Sequence, residues 1–243
     1  FPFVRLVFGT DGTAMVPQAL ERLTADPSLR VSLLDFLDHY PEREQPEGGT
    51  VGAQAFVNIM QGCDNFCAYC IVPFTRGRQK SRAADDVVAE CASLVRRGAR
   101  ELTLLGQNVN SYGQDKHGDG TSFAALLRRI SAIPGLARLK FTTSHPKDIA
   151  PEVVAAFGEL PNLCPQLHLP VQSGSDAVLK AMGRKYTRAR YLEIVGELRR
   201  ACPHIVLTTD IIVGFPGETN KDFEDTLKLM REVRYESSFS FKY

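Results

Sequence analysis

Very little in this chain leans one way. Lys and Arg number 29 against 28 Asp and Glu, a formal charge of +1 over 243 residues. A protein that coats nucleic acid by bulk positive charge is thereby excluded, so any contact with a polyanion must come from local patches. No apolar run reaches the roughly 18 residues of a membrane span, and the first residues carry no signal-peptide pattern. The six cysteines are too few and too unevenly spread for a disulfide framework, and none precedes Cys63. What is present is ordinary for a soluble fold: 44% hydrophobic residues, enough for a sizeable core, in a length that suits one large domain or two small ones.

One stretch stands apart, Met60-Gln61-Gly62-Cys63-Asp64-Asn65-Phe66-Cys67-Ala68-Tyr69-Cys70. Its cysteines are spaced C-x3-C-x2-C, and only a tight loop brings three sulfurs at that spacing to a common centre. A metal or cluster is the usual reason to build such a loop. A lone zinc ion normally takes four ligands, and no fourth Cys or His lies nearby. Three thiolates suit a 4Fe-4S cubane, holding three irons and leaving the fourth open. Three buried structural thiols, or half of a zinc site with distant partners, are the alternatives. Cys91 and Cys202 fall at apolar positions of predicted helices and read as core; Cys164, beside Pro161 and Pro165, receives no function.

Along the chain, Val4–Gly9 reads as a buried strand, followed by Val16, Leu20 and Leu23 at helical spacing. Residues 41–49, rich in Pro, Gly and charge, have linker composition. From Ala55 strands and helices alternate. Strands are expected at Ala55–Met60, Glu101–Gly106, Leu139–Thr142, Gln166–Leu169, Ile205–Val213 and Ser237–Phe241. Helices are expected at Ala84–Arg97, Ser122–Ile133, Ile149–Phe157, Asp176–Met182, Arg188–Ala201 and around Phe223, Leu227 and Met230. Six alternating units predict an α/β fold with a parallel sheet, an open (βα)6 partial TIM barrel rather than a closed eight-fold one. In such sheets chemistry gathers in the loops after the strands.

The cysteine spacing, with the aromatic Tyr69 before the last cysteine, resembles the signature of radical S-adenosylmethionine (SAM) enzymes. Asn58-Ile59-Met60-Gln61-Gly62-Cys63 and Ile71-Val72-Pro73-Phe74-Thr75-Arg76-Gly77-Arg78 resemble the methylthiotransferase family within them, in its tRNA-modifying branch. The resemblance implies a radical SAM domain over residues 51–243. Residues 1–50 would then be the end of a preceding methylthiotransferase domain plus a linker. It implies a 4Fe-4S cluster on Cys63, Cys67 and Cys70 whose open iron takes SAM. A second 4Fe-4S cluster is expected in the full-length protein, but its cysteines are absent from this chain, so SAM cleavage without completed sulfur insertion is expected of it. The implied reaction adds a methylthio group to C2 of an N(6)-dimethylallyladenosine next to the tRNA anticodon. Alternatives are the same chemistry on a ribosomal-protein aspartate, or a non-catalytic iron–sulfur or RNA-binding module. Implied partners are tRNA and an electron donor such as flavodoxin, for a monomer in the reducing cytoplasm.

The resemblance also points to SAM contacts. Tyr69 and Phe66 would pack around cluster and adenine. In the polar turn after the second strand, Gln107 or Asn108 would accept from the SAM amino group. Ser144, beside His145, would touch SAM after the third strand; His145 stays outside the catalytic set, because hydrogen abstraction by a radical needs no base. Gln172 and Ser173 would lie near ribose or carboxylate, although Ser173–Asp176 also reads as a helix cap. Arg184 offers a guanidinium fork to a carboxylate. Asp210, an acid within an apolar strand, needs a partner, either a ribose hydroxyl or Arg184. Gly214 and Gly217 would let the backbone approach the adenine. Arg76, Arg78, Lys80 and Arg82 form either a solvated face or a phosphate-contacting strip for tRNA.

Overall fold

The computed structural model describes residues 1–41, 49–116 and 118–243, so most of the expected linker at residues 41–49 lies outside the described residues. The chain first forms a small unit: β1 (Leu6–Phe8), a 3₁₀ turn at Asp11–Met15, α1 (Val16–Ala25) and β2 (Val31–Leu33), with β1 and β2 paired in parallel. Ala19, Leu23 and Val31 make its core. The strand expected at Val4–Gly9 is therefore shorter than its apolar run, and it is not buried, since Val7 and Phe8 are exposed. With one neighbour and one covered face, a two-stranded sheet cannot enclose consecutive apolar residues.

The main unit contains β3 (Gln54–Asn58), β4 (Met60–Gln61), α2 (Val72–Arg76), β5 (Lys80–Ser81), α3 (Ala84–Arg96), β6 (Glu101–Leu105), α4 (Phe123–Ser131), β7 (Arg138–Phe141), α5 (Pro151–Glu159), β8 (Gln166–His168), α6 (Asp176–Ala181), α7 (Arg188–Ala201), β9 (Val206–Val213), α8 (Asn220–Val233) and β10 (Ser237–Lys242). Strands β3, β6 and β7 form one parallel trio and β8, β9 and β10 another. The trios join where Leu139 of β7 bridges Leu163 in parallel, through Leu139 N to Asn162 O at 2.7 Å and Cys164 N to Leu139 O at 2.9 Å. Six parallel strands thus stand in chain order, and among the described residues β3 and β10 do not pair. The expected open six-unit barrel is what forms.

Helix positions follow the apolar spacing. Helix α4 buries Phe123, Leu126, Leu127 and Ile130, and its start is capped by the Ser122 side chain accepting from Ala125 N. In α8 the buried stripe is Thr226, Leu229 and Val233, while Phe223 is exposed; the helix is rotated from the face that its largest side chains suggested. The sheet core of Val57, Leu102, Leu104, Leu139, Leu167 and Leu207 is enclosed by these helices, and each such leucine contributes roughly 1.5–3 kcal/mol on burial. At the amino ends of the strands Glu101 receives Gln54, Arg138 and Lys140, closing that end with a paired carboxylate.

Between Met60 and Ser81 the chain does something that periodicity did not announce. Strands β4 and β5 pair antiparallel and α2 lies between them, so the expected strand through Met60 breaks after Asn58. This arm docks the first unit. Asp11 takes Lys80 Nζ at 2.5 Å, Gln61 Nε2 at 2.5 Å and Leu37 N at 2.8 Å. The Lys80 and Asp11 side chains are only 3% and 1% exposed.

Burial by itself would raise the Asp11 carboxyl, but the bonds from Lys80, Leu37 and Gln61 outweigh it and hold the group below its ordinary value of 3.8. A depressed folded value means the stabilisation is complete above that ordinary value and is lost as pH falls through the lower folded one. Lys80→Met strands a buried carboxylate and is expected to lower unfolding free energy by about 3 kcal/mol at pH 7 in urea titrations. The deficit against the unaltered protein should narrow below pH 4, and adding Asp11→Asn should restore part of it at pH 7.

Candidate metal centre at the carboxyl ends of the strands

The cysteine loop leaves β4 at a glycine that the geometry requires. Gly62 has φ +78°, and a Cβ there would sit 2.1 Å from Arg78 O. Its N–H donates to Gln107 Oε1 at 2.7 Å. Further along, Cys63 N bonds Gly77 O at 3.3 Å, Cys70 N bonds Cys67 O at 2.9 Å and Ala68 N bonds Met182 O at 2.9 Å. The loop is therefore strapped to the β4–β5 arm, to the loop after β6 and to the end of α6. Phe66, with φ +48°, takes the strained conformation needed to turn between Cys63 and Cys67. It is exposed rather than packed, with its ring against Phe74 and under Arg78.

All three cysteines are free; Cys67 is buried and the other two are half-buried. Burial pushes the Cys63 thiol up, and charge on Cys67, Cys70 or Asp148 pushes it the same way, against a backbone bond from Asn65. The three sulfurs are thus within electrostatic reach of one another. Yet among the described residues no three ligating side chains converge as a single metal ion requires. A cubane places each thiolate on a different iron, so its ligands stand further apart than those of one ion. A donor set of three thiols, with His145 Nε2 3.9 Å from Cys67 Sγ alone, fits a cluster better than a zinc ion that takes four ligands.

Around this loop polar side chains are buried without partners. Among the described residues the atoms in that condition are Asn108 Oδ1, Asn110 Nδ2 and Oδ1, Ser144 Oγ, Gln172 Oε1 and Glu218 Oε1. Every one lies in a loop that follows β6, β7, β8 or β9. Each unmet group costs about 1–3 kcal/mol, and a polar ligand seated on the rim would recover it. Gln172 and Thr143 there also have positive φ, at +72° and +67°.

The individual expectations fare differently. Ser144 and Gln172 sit on the rim with free polar atoms. Gly214 is there too, with φ +75°, open space where a Cβ would go and its N–H on Glu218 Oε2. Tyr69 packs with Val178, Met182, Ile212 and Phe215, and its hydroxyl accepts from Arg184 Nη1 at 3.2 Å. Gln107 spends its carbonyl on Gly62, so it supports the cysteine loop instead of offering that acceptor to a ligand. Ser173 is fully enclosed, with its hydroxyl shared between Thr226 of α8 and Ser175 N. The cap of α6 is Ser175, whose hydroxyl accepts from Val178 N. Asp210 does not pair with Arg184: its partner within the chain is His168, whose Nε2 lies 3.4 Å away.

Arg184 is buried among partners of its own chain. Its Nη2 bonds Pro170 O at 2.7 Å, its Nε bonds Tyr186 Oη at 3.0 Å, and its Nη1 reaches Tyr69 Oη and Cys67 Sγ. The basic strip divides as well. Arg76 and Arg78 are exposed, Arg78 with a 2.6 Å ion pair to Asp64. Lys80 is buried on Asp11, and Arg82 is held by Glu90 and Asn58 O. Lys80 is turned inward on β5, and Arg82, just after it, is half-buried in its own ion pair.

Sequence reasoning missed Asp148, which gathers Asn108 Nδ2 at 2.7 Å, Asn65 Nδ2 at 3.3 Å and Lys147 Nζ at 2.9 Å. It also missed Asn110 and Glu218. The available signal was position: all are polar residues in loops after parallel strands.

A sequence profile of the Radical SAM superfamily matches residues 57–230. The tRNA-2-methylthio-N(6)-dimethylallyladenosine synthase of Nitratidesulfovibrio vulgaris (strain Hildenborough) is 67% identical over 100% of this chain and 54% of its own length. The protein of the same name from Oleidesulfovibrio alaskensis is 65% identical over 100% of this chain and 53% of its own length. The chain thus spans about half the length of the curated relatives it matches. Among solved structures, the radical S-adenosylmethionine methyltransferase TsrM from Kitasatospora setae is similar in fold, with a TM-score of 0.62 at 18% identity, over 78% of this chain and 36% of that one.

Gly62→Ala, which drives a Cβ into Arg78 O at a positive φ, is expected to destabilise the protein by about 2 kcal/mol or more. Gly52→Ala, where the nearest atom to a Cβ is 3.8 Å away, should stay within about 0.5 kcal/mol in the same chemical-denaturation series.

Proposed function

The chain belongs to the Radical SAM superfamily, and on that premise we propose that it is the SAM-cleaving domain of a tRNA methylthiotransferase. The whole protein would add a methylthio group to C2 of N(6)-dimethylallyladenosine beside the anticodon. The observation that carries the reading is the cysteine triad, held on the loop after β4, with unpartnered polar atoms in the loops after β6, β7, β8 and β9. The choice of tRNA is supported by the names of the relatives that align along the whole chain.

Cys63, Cys67 and Cys70 would hold a 4Fe-4S cluster, which when bound supplies the electron that splits SAM at its sulfonium. Thiols must lose their protons to ligate it, and burial has left the Cys63 proton hard to lose, so loading couples to proton release. The chain's own part is then to hold and to exclude. Asp148 binds the cysteine loop through Asn65 and the β6 loop through Asn108, which fixes the loops against each other. Ser144, Gln172 and Asn110 present amide and hydroxyl groups to a polar cofactor. Gly214 leaves its backbone open to a flat one. Tyr69, packed against Ile212 and Phe215, would shield the cluster from water.

Residues 51–243 are taken as the radical SAM domain; the superfamily match within them supports this, as does the separate core of the first unit. A tRNA would contact Arg76 and Arg78, which remain exposed near Phe66, Ile71 and Phe74. A second cluster, a flavodoxin-type donor, a monomeric state and a cytoplasmic setting belong to the same reading; among the described residues no helix is long and apolar enough to cross a membrane.

Anaerobic reconstitution with iron and sulfide, then dithionite and SAM, is expected to yield 5′-deoxyadenosine by chromatography. Cys67→Ala should yield none, and product from that variant would overturn the cluster assignment. Arg76→Ala and Arg78→Ala should each weaken binding of an anticodon hairpin and each reduce the slope of log K against log salt by about 1. Unchanged slopes in fluorescence anisotropy would remove both from the RNA surface.

A further inference from the structure

Most large apolar side chains of the main unit turn inward. Three that do not stand together beside the cysteine loop: Ile71 is 68% exposed, Phe74 72% and Phe66 48%. The single turn of α2 accounts for the first two. Pro73 faces the protein and is buried. That sends Ile71 and Phe74, three residues apart and joined by Phe74 N to Ile71 O at 3.0 Å, to the outer side. Phe66 is brought to them by a backbone with φ +48°, a conformation that a bulky side chain adopts only at a cost. Glycine would make such a turn freely, as Gly62 does. Here the chain instead holds an aromatic ring out in solvent.

The rings are arranged, not scattered. Phe66 and Phe74 meet edge to face, with centroids 6.4 Å apart and planes at 82°. The Arg78 guanidinium carbon lies 5.3 Å from the centre of the Phe66 ring. Arg78 is largely exposed, with Asp64 as its ion-pair partner at 2.6 Å. Arg76, the last residue of α2, is exposed as well. Aromatic rings interleaved with arginines are what a single-stranded nucleic acid requires: the cations meet its phosphates and the rings stack on its bases. An apolar protein face would use the rings and leave the cations idle. A duplex would use the cations and leave the rings idle, because its bases are already stacked. Only an open strand employs both.

We propose that Phe74, steadied by Phe66, is a stacking platform for an unpaired base of the anticodon loop, with Arg76 and Arg78 on the flanking phosphates. The inference rests on the tRNA reading above and adds to it a contact that senses an open loop instead of backbone charge. Every base offers a π-face, so the platform selects for an unstacked nucleotide and not for base identity.

The test is binding of a labelled anticodon hairpin to the full chain, followed by fluorescence anisotropy over a series of salt concentrations. Phe74→Ala is expected to weaken binding about tenfold and to leave the slope of log K against log salt unchanged, since no phosphate contact is lost. Phe74→Tyr should bind as the unaltered protein does, and Phe74→Leu, apolar but not aromatic, should bind as weakly as Phe74→Ala. Among hairpins with one loop nucleotide made abasic, one position should exist at which Phe74→Ala costs nothing further. In the reconstituted chain Phe74→Ala should give the same dithionite-driven yield of 5′-deoxyadenosine as the unaltered protein. Equal hairpin affinity in Phe74→Ala and the unaltered protein overturns the proposal and leaves the tRNA reading standing. Undiminished binding by Phe74→Leu, or losses that add at every abasic position, overturn it too. Loss of SAM cleavage together with hairpin binding would make Phe74 a support of the cysteine loop and overturn it. Weaker binding of a flavodoxin-type donor with hairpin affinity unchanged would make the patch a protein-docking face and do the same. If the unaltered protein binds no hairpin, the tRNA reading falls and this inference falls with it.

Discussion

Parallel strands impose a rule that organises this molecule: every chain leaves the sheet on the same side. The loops after β3, β6, β7, β8 and β9 therefore crowd one rim, and their backbone and side-chain polar groups must be met there. Asp148 meets part of the demand by taking N–H bonds from the cysteine loop and from the β6 loop. Gly62 and Gln107 meet another part. The remainder, on Asn108, Asn110, Ser144, Gln172 and Glu218, is unmet. A fold that carries several such costs on one edge and few elsewhere has traded stability for a polar binding surface.

The cysteine loop shows how local strain serves that surface. Three sulfurs in eight residues need a turn, and the turn is made by Gly62 with positive φ and by Phe66 in the same region. A non-glycine residue held there is stable only because its surroundings over-determine it. The straps to Gly77, Gln107 and Met182 provide that constraint. Burial raises the Cys63 thiol, and the Arg184 guanidinium stands 3.6 Å from the Cys67 sulfur.

Much of the barrel was legible because burial on a helix or a strand has a period. α7 falls at Arg188–Ala201 as its spacing predicts, and α3, α4 and α6 within two residues at each end. The first unit and the Met60–Ser81 arm were not legible in the same way. β2, β4 and β5 are two or three residues long, too short for any period, and α2 is one turn begun by Pro73. Such elements exist because a partner is present, which propensity does not encode.

The order of residues alone set three closely spaced cysteines on one loop, and it determined the strand count, since the apolar runs are separated by helical stripes. Only tertiary structure decided which polar side chains face the rim. Ser173 and Gln172 are neighbours, yet one is enclosed against α8 and the other turns into the site with an unmet amide. Arg184 read as a carboxylate's partner and Lys80 as part of a basic strip, and in the fold one lies against Cys67 and its neighbours, the other on Asp11. The physical reason is that a side chain's charge is written in the sequence, whereas its partner is set by which loops the sheet brings within 3 to 4 Å.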